Sequence, residues 1–186
     1  MLYTRKGDNG TTKTFGCDQR ISKSSAIAEA LGSLDEINSY LGLCKVKADE
    51  KGHDFASIQG QFLGKIIHNI QKNLFIIQAE LAGSKMSIEE EKVKEVELII
   101  DTIEKELPPI KSFFISGGTE LAATFDVART ISRRAERRVV GVVEEGKVIV
   151  GVHTLAYLNR LSSILYAFAR LANHKSGILE ESPDYK

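Results

Sequence analysis

Five arginines fall within ten residues, Arg129-Thr-Ile-Ser-Arg133-Arg134-Ala-Glu136-Arg137-Arg138, with no lysine among them. Arg129, Arg133 and Arg137 recur every fourth residue and share one face if the segment is helical. Arginine is the cation that grips phosphate and carboxylate with two donors at once, so the run suits an anion site. Glu136, three residues after Arg133, could orient that guanidinium. The same pattern also suits a solvated basic face. A second group lies at Tyr3-Thr-Arg-Lys-Gly-Asp-Asn-Gly-Thr-Thr12, where two glycines, two cations and three hydroxyls precede any helical pattern. Glycines let backbone N–H groups approach a polyanion while Arg5 and Lys6 neutralise it. A frayed terminus would have the same composition.

Two smaller groups complete the inventory. Phe113-Phe114-Ile115-Ser116-Gly117-Gly118 is an apolar run ending where a helix could begin, so it reads as an aromatic wall beside an anion-friendly helix start or as a buried loop anchor. Tyr157-Leu158-Asn159-Arg160-Leu161-Ser162 sets Asn159, able to offer a carbonyl to a metal or nucleotide, in an apolar helical pattern. Arg160 there reads as a surface residue.

The elements that must position these groups are helices. Apolar residues step by three and four through Ala30, Leu34, Ile37, Leu41, Cys44 and Ala48, and again from Leu63 to Leu81. Val93 to Leu107, Leu121 to Val142 and Leu158 to Ala172 repeat the pattern. Ala82-Gly83-Ser84 should end the second helix, Ser87-Ile-Glu-Glu90 should open the third as a capping box, and Pro108-Pro109 should close it. Lys51-Gly52-His53-Asp54 and Glu144-Glu145-Gly146-Lys147 separate the remaining helices. Val148 to Val152 reads as the approach to the fifth helix. The expectation is an all-α, up-down helical bundle in one domain spanning 1–186: a phosphate-wrapping segment 1–24, a bundle 25–175 and a loose polar tail 176–186. Asp35 and Asn38, like Arg129, Arg133 and Glu136, lie beside the apolar stripes and imply a ligand site or subunit interface.

Composition removes several classes. Charges cancel, with 25 Lys and Arg against 25 Asp and Glu, which disfavours nucleic acid as a partner. No apolar run nears the roughly 20 residues of a membrane span, and no secretory h-region is present. Cys17 and Cys44 do not make a disulfide framework, so a reducing cytoplasm is expected, with Cys44 a buried thiol. Gly60-Gln-Phe-Leu-Gly64-Lys65 is one residue too short for a P-loop, has Ile66 where Ser or Thr is required, and falls in a helical pattern. His53, His68, His153 and His174 are dispersed, without metal-ligand spacing.

Four blocks, in order, resemble the PduO-type ATP:cob(I)alamin adenosyltransferases: Tyr3 to Thr12; Glu29-Ala-Leu-Gly-Ser-Leu-Asp-Glu-Ile-Asn38 with Leu41-Gly-Leu43; Phe113 through Glu136; and Tyr157 to Ser162. The resemblance implies a five-helix, ferritin-like bundle with a four-helix core, trimeric, with active sites between subunits. It implies transfer of the 5′-deoxyadenosyl group of ATP to the cobalt of a corrinoid, with ATP and cobalamin as substrates and Mg²⁺ as cofactor. The implied ATP residues are Thr4, Arg5, Lys6, Gly7, Thr12, Lys13 and Lys23 of the N-terminal loop, and Arg133, Arg134, Glu136 and Arg137 for phosphates. Asn159 is implied beside Mg²⁺, Phe113 beneath the corrinoid ring, and Asp35 paired with Arg129 across the subunit interface. A reductase and an adenosylcobalamin-dependent enzyme are the implied protein partners.

Three positions depart from the family pattern: Ser116 stands where proline is usual, Ser163 where aspartate is, and Ile27 where a charge is. The Thr14–Lys23 loop is about two residues longer. The competing readings are a non-enzymatic nucleotide- or nucleic-acid-binding bundle, and a P-loop corrinoid adenosyltransferase of another fold.

Overall fold

The computed structural model describes residues 2–14, 19–49, 57–58 and 60–185. Cys17 and the Lys51–Asp54 break lie outside them. Five helices carry the fold: α1 (Ala26–Ala48), α2 (Leu63–Leu81), α3 (Glu90–Glu106), α4 (Glu120–Glu144) and α5 (Val152–Lys175). The apolar stripes become its core. All six stripe residues of α1 are buried, as are the stripe residues of α2, α4 and α5; in α3, Ile100 and Leu107 are only partly covered. No described helix is long and apolar enough to cross a membrane.

Cross-helix pairs give the helix directions. Glu29–Arg138, Glu36–Arg134 and Lys47–Glu120 link α1 to α4 in opposite chain directions. Asn159–Glu136 and Asn173–Thr119 do the same for α5 and α4. Glu97–Arg160 and Glu106–Lys175 show α3 and α5 running parallel. Asn73–Tyr157 and Glu80–Thr154 set α2 antiparallel to α5, so successive helices along the chain alternate up and down.

Helix ends follow local chemistry. Thr119 caps α4 by accepting from the Ala122 N–H at 3.1 Å. Gly83, at φ 97°, lets the Ser84 N–H reach back to the Ala79 carbonyl at 2.9 Å and ends α2. The buried Glu80 accepts from the Gly151 N–H at 2.7 Å and from the Thr154 hydroxyl, capping α5 from a neighbouring helix.

The structure corrects three sequence expectations and adds one element to them. The Ser87–Glu90 capping box does not form: α3 begins at Glu90 with no side-chain cap, because buried Ile88 pins the preceding segment and donates its N–H to Thr154 Oγ1 instead. Gly60–Phe62 is not helical; β3 (Ser57–Ile58) and β4 (Gln61–Phe62) pair there before α2 starts. The N-terminal segment holds an antiparallel pair, β1 (Thr11–Lys13) and β2 (Arg20–Ser22), in register Thr12 opposite Ile21. The tail is tied down rather than loose: Glu180 grips the buried Arg170, and the Glu181 carbonyl accepts from the Ile115 N–H at 2.8 Å.

Candidate active site

Residues 5–10 fold into consecutive tight turns. The Asp8 N–H returns to the Arg5 carbonyl at 3.2 Å and the Gly10 N–H to the Gly7 carbonyl at 3.1 Å, before β1 hands the chain on to β2. The Lys23 N–H closes the far side on the Gly10 carbonyl at 2.9 Å. Arg5 sits at φ 60°, a left-handed conformation that a non-glycine residue adopts at a cost of about 1–3 kcal/mol. Gly7 is held close: a Cβ there would lie 3.1 Å from both Lys23 Nζ and the Thr11 carbonyl.

The turns enclose an open concavity of about 450 Å³ lined only by residues between Tyr3 and Lys23. All seven N-terminal residues expected to hold ATP (Thr4, Arg5, Lys6, Gly7, Thr12, Lys13 and Lys23) line it. So does Arg20, which the sequence reading missed. Arg20 donates through Nε to Thr11 Oγ1 at 2.6 Å and through Nη2 to the Thr11 carbonyl at 2.8 Å and to the Lys6 carbonyl. The Thr11 hydroxyl donates in turn to Asn9 Oδ1 at 2.6 Å. Arg5, Lys6, Lys13, Arg20 and Lys23 thus face the concavity against the single carboxylate of Asp8, a basin for a polyanion.

The arginine run of α4 divides by face. Arg134 and Arg138 turn to α1, pairing with Glu36 and with Glu29, the latter at 3.6 Å. Arg133 and Arg137 are exposed and have no ion pair among the described residues. Glu136 does not orient Arg133 as its spacing suggested; its Oε1 accepts from Asn159 Nδ2 at 3.1 Å. Asn159 Oδ1 in turn accepts from Arg160 Nη1 at 2.7 Å, and Arg160 Nε donates to Glu97 at 2.8 Å. Arg160 is therefore a bridge from α5 to α3 rather than a free surface cation. Arg129 bonds Asp126 on its own helix at 3.2 Å, with its guanidinium 5.8 Å from the Tyr166 ring centroid. Burial raises the Tyr166 phenol above its usual pKa; the nearby Glu180 and Asp126 charges add to this, while Arg170 and Arg129 oppose it. Asp35 is exposed on α1, and within one chain it does not pair with Arg129.

Phe113 is displayed on the loop between α3 and α4, 81% exposed, so it is not a buried loop anchor. Arg133 lies fourteen residues beyond the Thr119 cap, roughly 21 Å along α4 at 1.5 Å per residue. Seven predicted residues therefore line the N-terminal basin and Arg129, Arg133, Glu136, Arg137 and Asn159 lie along α4 and α5, while Asp35 sits on α1, Arg134 turns to α1 and Phe113 sits on the α3–α4 loop; none of these latter groups lines the basin.

No cluster of three or more His, Cys, Asp or Glu able to hold a metal occurs among the described residues. That donor set still suits Mg²⁺, which keeps its waters and takes one or two carboxylates plus substrate phosphates. Glu136 Oε2, outside the bond to Asn159, is the first donor on this face, and the Asn159 carbonyl, which already accepts from Arg160 Nη1, would offer its second lone pair.

This geometry has close counterparts. The family model of cobalamin adenosyltransferases matches residues 2–172. The corrinoid adenosyltransferase PduO of Citrobacter freundii is 39% identical over 180 residues, covering 93% of this chain and 50% of that protein, so the chain spans about half the length of that relative. The corrinoid adenosyltransferase of Bacillus subtilis is 37% identical, covering 95% of this chain and 89% of that one. In structure, the chain superposes with TM-score 0.89 and 30% identity on a variant PduO-type ATP:corrinoid adenosyltransferase from Lactobacillus reuteri complexed with cobalamin and ATP, covering 100% of this chain and 97% of that one. The family match runs from residue 2 to residue 172, and the chain belongs to the cobalamin adenosyltransferase family.

Proposed function

We propose that the protein transfers the 5′-deoxyadenosyl group of ATP to the cobalt of a reduced corrinoid. The observation that carries this reading is the N-terminal basin, where five cations and the turn backbone converge on one open concavity. The L. reuteri relative, complexed with cobalamin and ATP, supports the pair of substrates.

The reaction needs no protein acid or base. The cobalt(I) electron pair forms a Co–C bond at C5′, the C5′–O bond breaks, and triphosphate leaves with that bond's electrons. The chain's residues have two tasks. Arg5, Lys6, Lys13 and Lys23 would hold the nucleotide's phosphates from the basin, and Arg133 and Arg137 from α4, stabilising charge on the leaving oxygen. Loss of one such donor should raise the barrier by about 3 kcal/mol. Mg²⁺, held by Glu136, Asn159 and the phosphates, would neutralise part of that charge. Arg134, committed to Glu36, is the weakest candidate among the phosphate ligands. The second task belongs to Phe113, an apolar side chain free to lie under the ring. There it would displace the lower axial ligand and leave a four-coordinate Co(II) that a reductase can reduce.

Since no α4 residue lines the basin, and the family resemblance implies a trimer, the complete site would join the basin of one subunit to the α4 strip of the next. Asp35 of one subunit would then take Arg129 of another. The test is anaerobic: ATP, Mg²⁺ and chemically reduced corrinoid are mixed with the protein, and light-sensitive Co–C product and triphosphate are measured. The wild type should form both; in a parallel reaction started from Co(II) corrinoid and a chemical reductant, Phe113→Ala should lose turnover while still binding ATP. Folded protein that forms neither product overturns the proposal.

A further inference from the structure

The loop that displays Phe113 is held from outside itself. At its start, Arg170 of α5, only 5% exposed, donates through Nη2 to the Pro108 carbonyl at 2.9 Å. In its middle, the same guanidinium lies 5.2 Å from the Phe114 ring centroid. At its end, Asn173 donates to the Gly117 carbonyl and accepts from the Thr119 N–H, both at 2.9 Å. Gly118 must be glycine for this approach: at φ 92°, its Cβ would fall 2.4 Å from Asn173 Oδ1.

The C-terminal segment lies along the other side. Glu180 takes Arg170 with both carboxylate oxygens, at 2.7 to 3.0 Å. The Glu181 carbonyl accepts from the Ile115 N–H at 2.8 Å, and the Ser112 and Ser182 hydroxyls share a 2.6 Å bond. These contacts bracket Phe113 on both sides. The segment adds little to the core, since Leu179 and Tyr185 are 92% and 84% exposed. The hydrogen bonds of Glu180, Glu181 and Ser182 fall on Arg170 and on the 112–115 loop. Without it, Arg170 would keep a buried charge with only the Pro108 carbonyl and an aromatic face. The loop itself has slack: Ser116 lacks proline's fixed φ, and Gly117 and Gly118 follow at φ 133° and 92°.

We propose that residues 178–185 act as a strap, latched by Arg170–Glu180, that positions Phe113 for the corrinoid. This rests on the adenosyltransferase reading and adds positioning residues to it; neither Arg170 nor Glu180 is assigned a contact with substrate. A loop displaced by about 1 Å can cost on the order of 100-fold in rate while leaving remote binding intact.

The test uses the full chain carrying Glu180→Gln, and compares three quantities with wild type. Hydrogen exchange at the Ile115 amide reads the strap directly. Mg²⁺–ATP affinity reads the distant basin. Turnover from Co(II) corrinoid plus a chemical reductant, with the optical spectrum of bound Co(II), reads Phe113. The expected result is lost protection at Ile115, ATP affinity within about twofold, and turnover lowered about tenfold to 100-fold with a matching loss of the four-coordinate Co(II) signal. Glu180→Asp, which keeps the charge, should recover part of each. If Glu180→Gln lowers the melting temperature into the assay range, the surface change Ser182→Ala carries the same three measurements with a smaller effect. Unchanged Ile115 protection overturns the strap, and wild-type turnover in a variant whose Ile115 has lost protection overturns its role. A wild type that makes no Co–C product from chemically reduced corrinoid instead defeats the adenosyltransferase reading, while Ile115 exchange still reports the strap.

Discussion

Arg20→Ala should weaken ATP binding without removing a group assigned to the phosphates. Arg20 makes three donations from a charged guanidinium to Thr11 Oγ1, the Thr11 carbonyl and the Lys6 carbonyl. Fully buried, such bonds would each contribute about 1.5–3 kcal/mol. Arg20 is only partly buried, so solvent screening reduces the three together to about 2–3 kcal/mol. The structure they hold carries the left-handed Arg5, whose strain is of similar size. Removing Arg20 therefore shifts the balance toward relaxed loops in which the basin is not formed.

Apparent affinity falls in proportion to the competent fraction. A loss of about 2 kcal/mol corresponds to about 30-fold. The expectation is a KM for ATP raised about 30-fold, with kcat at saturating ATP changed less than about threefold, because the nucleotide re-forms the loop once bound. Arg20→Lys separates the two physical explanations. Lysine restores the charge but not the fork that spans Lys6 and Thr11, so it should recover only a few-fold. Titration calorimetry with Mg²⁺–ATP alongside steady-state kinetics measures both quantities. An Arg20→Ala protein that binds ATP within threefold of wild type would refute the positioning argument. Full recovery by lysine would show that charge alone matters.

Two further perturbations test the scaffold. Glu80→Ala strands the Gly151 N–H and the Thr154 hydroxyl at the start of α5, which should cost about 3 kcal/mol and lower Tm by about 6–12 °C, whereas Glu80→Gln keeps an acceptor and should cost about 1 kcal/mol; urea unfolding measures both, and a loss below 1 kcal/mol for the alanine variant contradicts the cross-helix cap. The Cys44 thiol is pushed up to about 12 by burial, against a backbone hydrogen bond that lowers it, so folding favours the neutral thiol; its contribution to stability is complete below pH 9.0 and is lost as pH rises through about 12. Alkylation at pH 8, read by peptide mapping, should leave Cys44 unmodified until the protein is unfolded, and rapid labelling in the native state would contradict its burial.

The helices were legible because burial on a helix writes a local period into the sequence, and the stripe from Leu121 to Val142 maps residue for residue onto the core. What was not legible depends on partners distant in sequence. Thr11–Lys13 and Arg20–Ser22 show no apolar alternation; the hairpin is fixed by Arg20 reaching back to Thr11 and Lys6, which no local pattern records. The capping box at Ser87 failed because Thr154, on another helix, supplied the acceptor for Ile88. The tail looked loose because its charges were read alone. One signal was available: Arg170 interrupts the run Phe168-Ala169-Arg170-Leu171-Ala172, and an arginine in such a stripe requires a carboxylate when buried. Glu180, ten residues on, meets that need.

The same separation explains the arginine run. On a helix, Arg134 and Arg138 lie on one side and Arg129, Arg133 and Arg137 on another. The structure assigns these sides different work. The first pair ties α4 to α1 through Glu36 and Glu29, in rim-exposed ion pairs that mainly set how the two helices lie against each other. On the second side, Arg129 is oriented by Asp126 and Tyr166, and Arg133 and Arg137 project beside Glu136 and Asn159 without a compensating carboxylate of their own. A bundle with no net charge has carboxylates enough to neutralise them, and Glu136, three residues from Arg133 and next to Arg137 in sequence, bonds Asn159 instead. Five arginines in ten residues are therefore two interleaved sets: Arg134 and Arg138 on the seam with α1, and Arg129, Arg133 and Arg137 on the other side, of which Arg133 and Arg137 have no ion pair among the described residues.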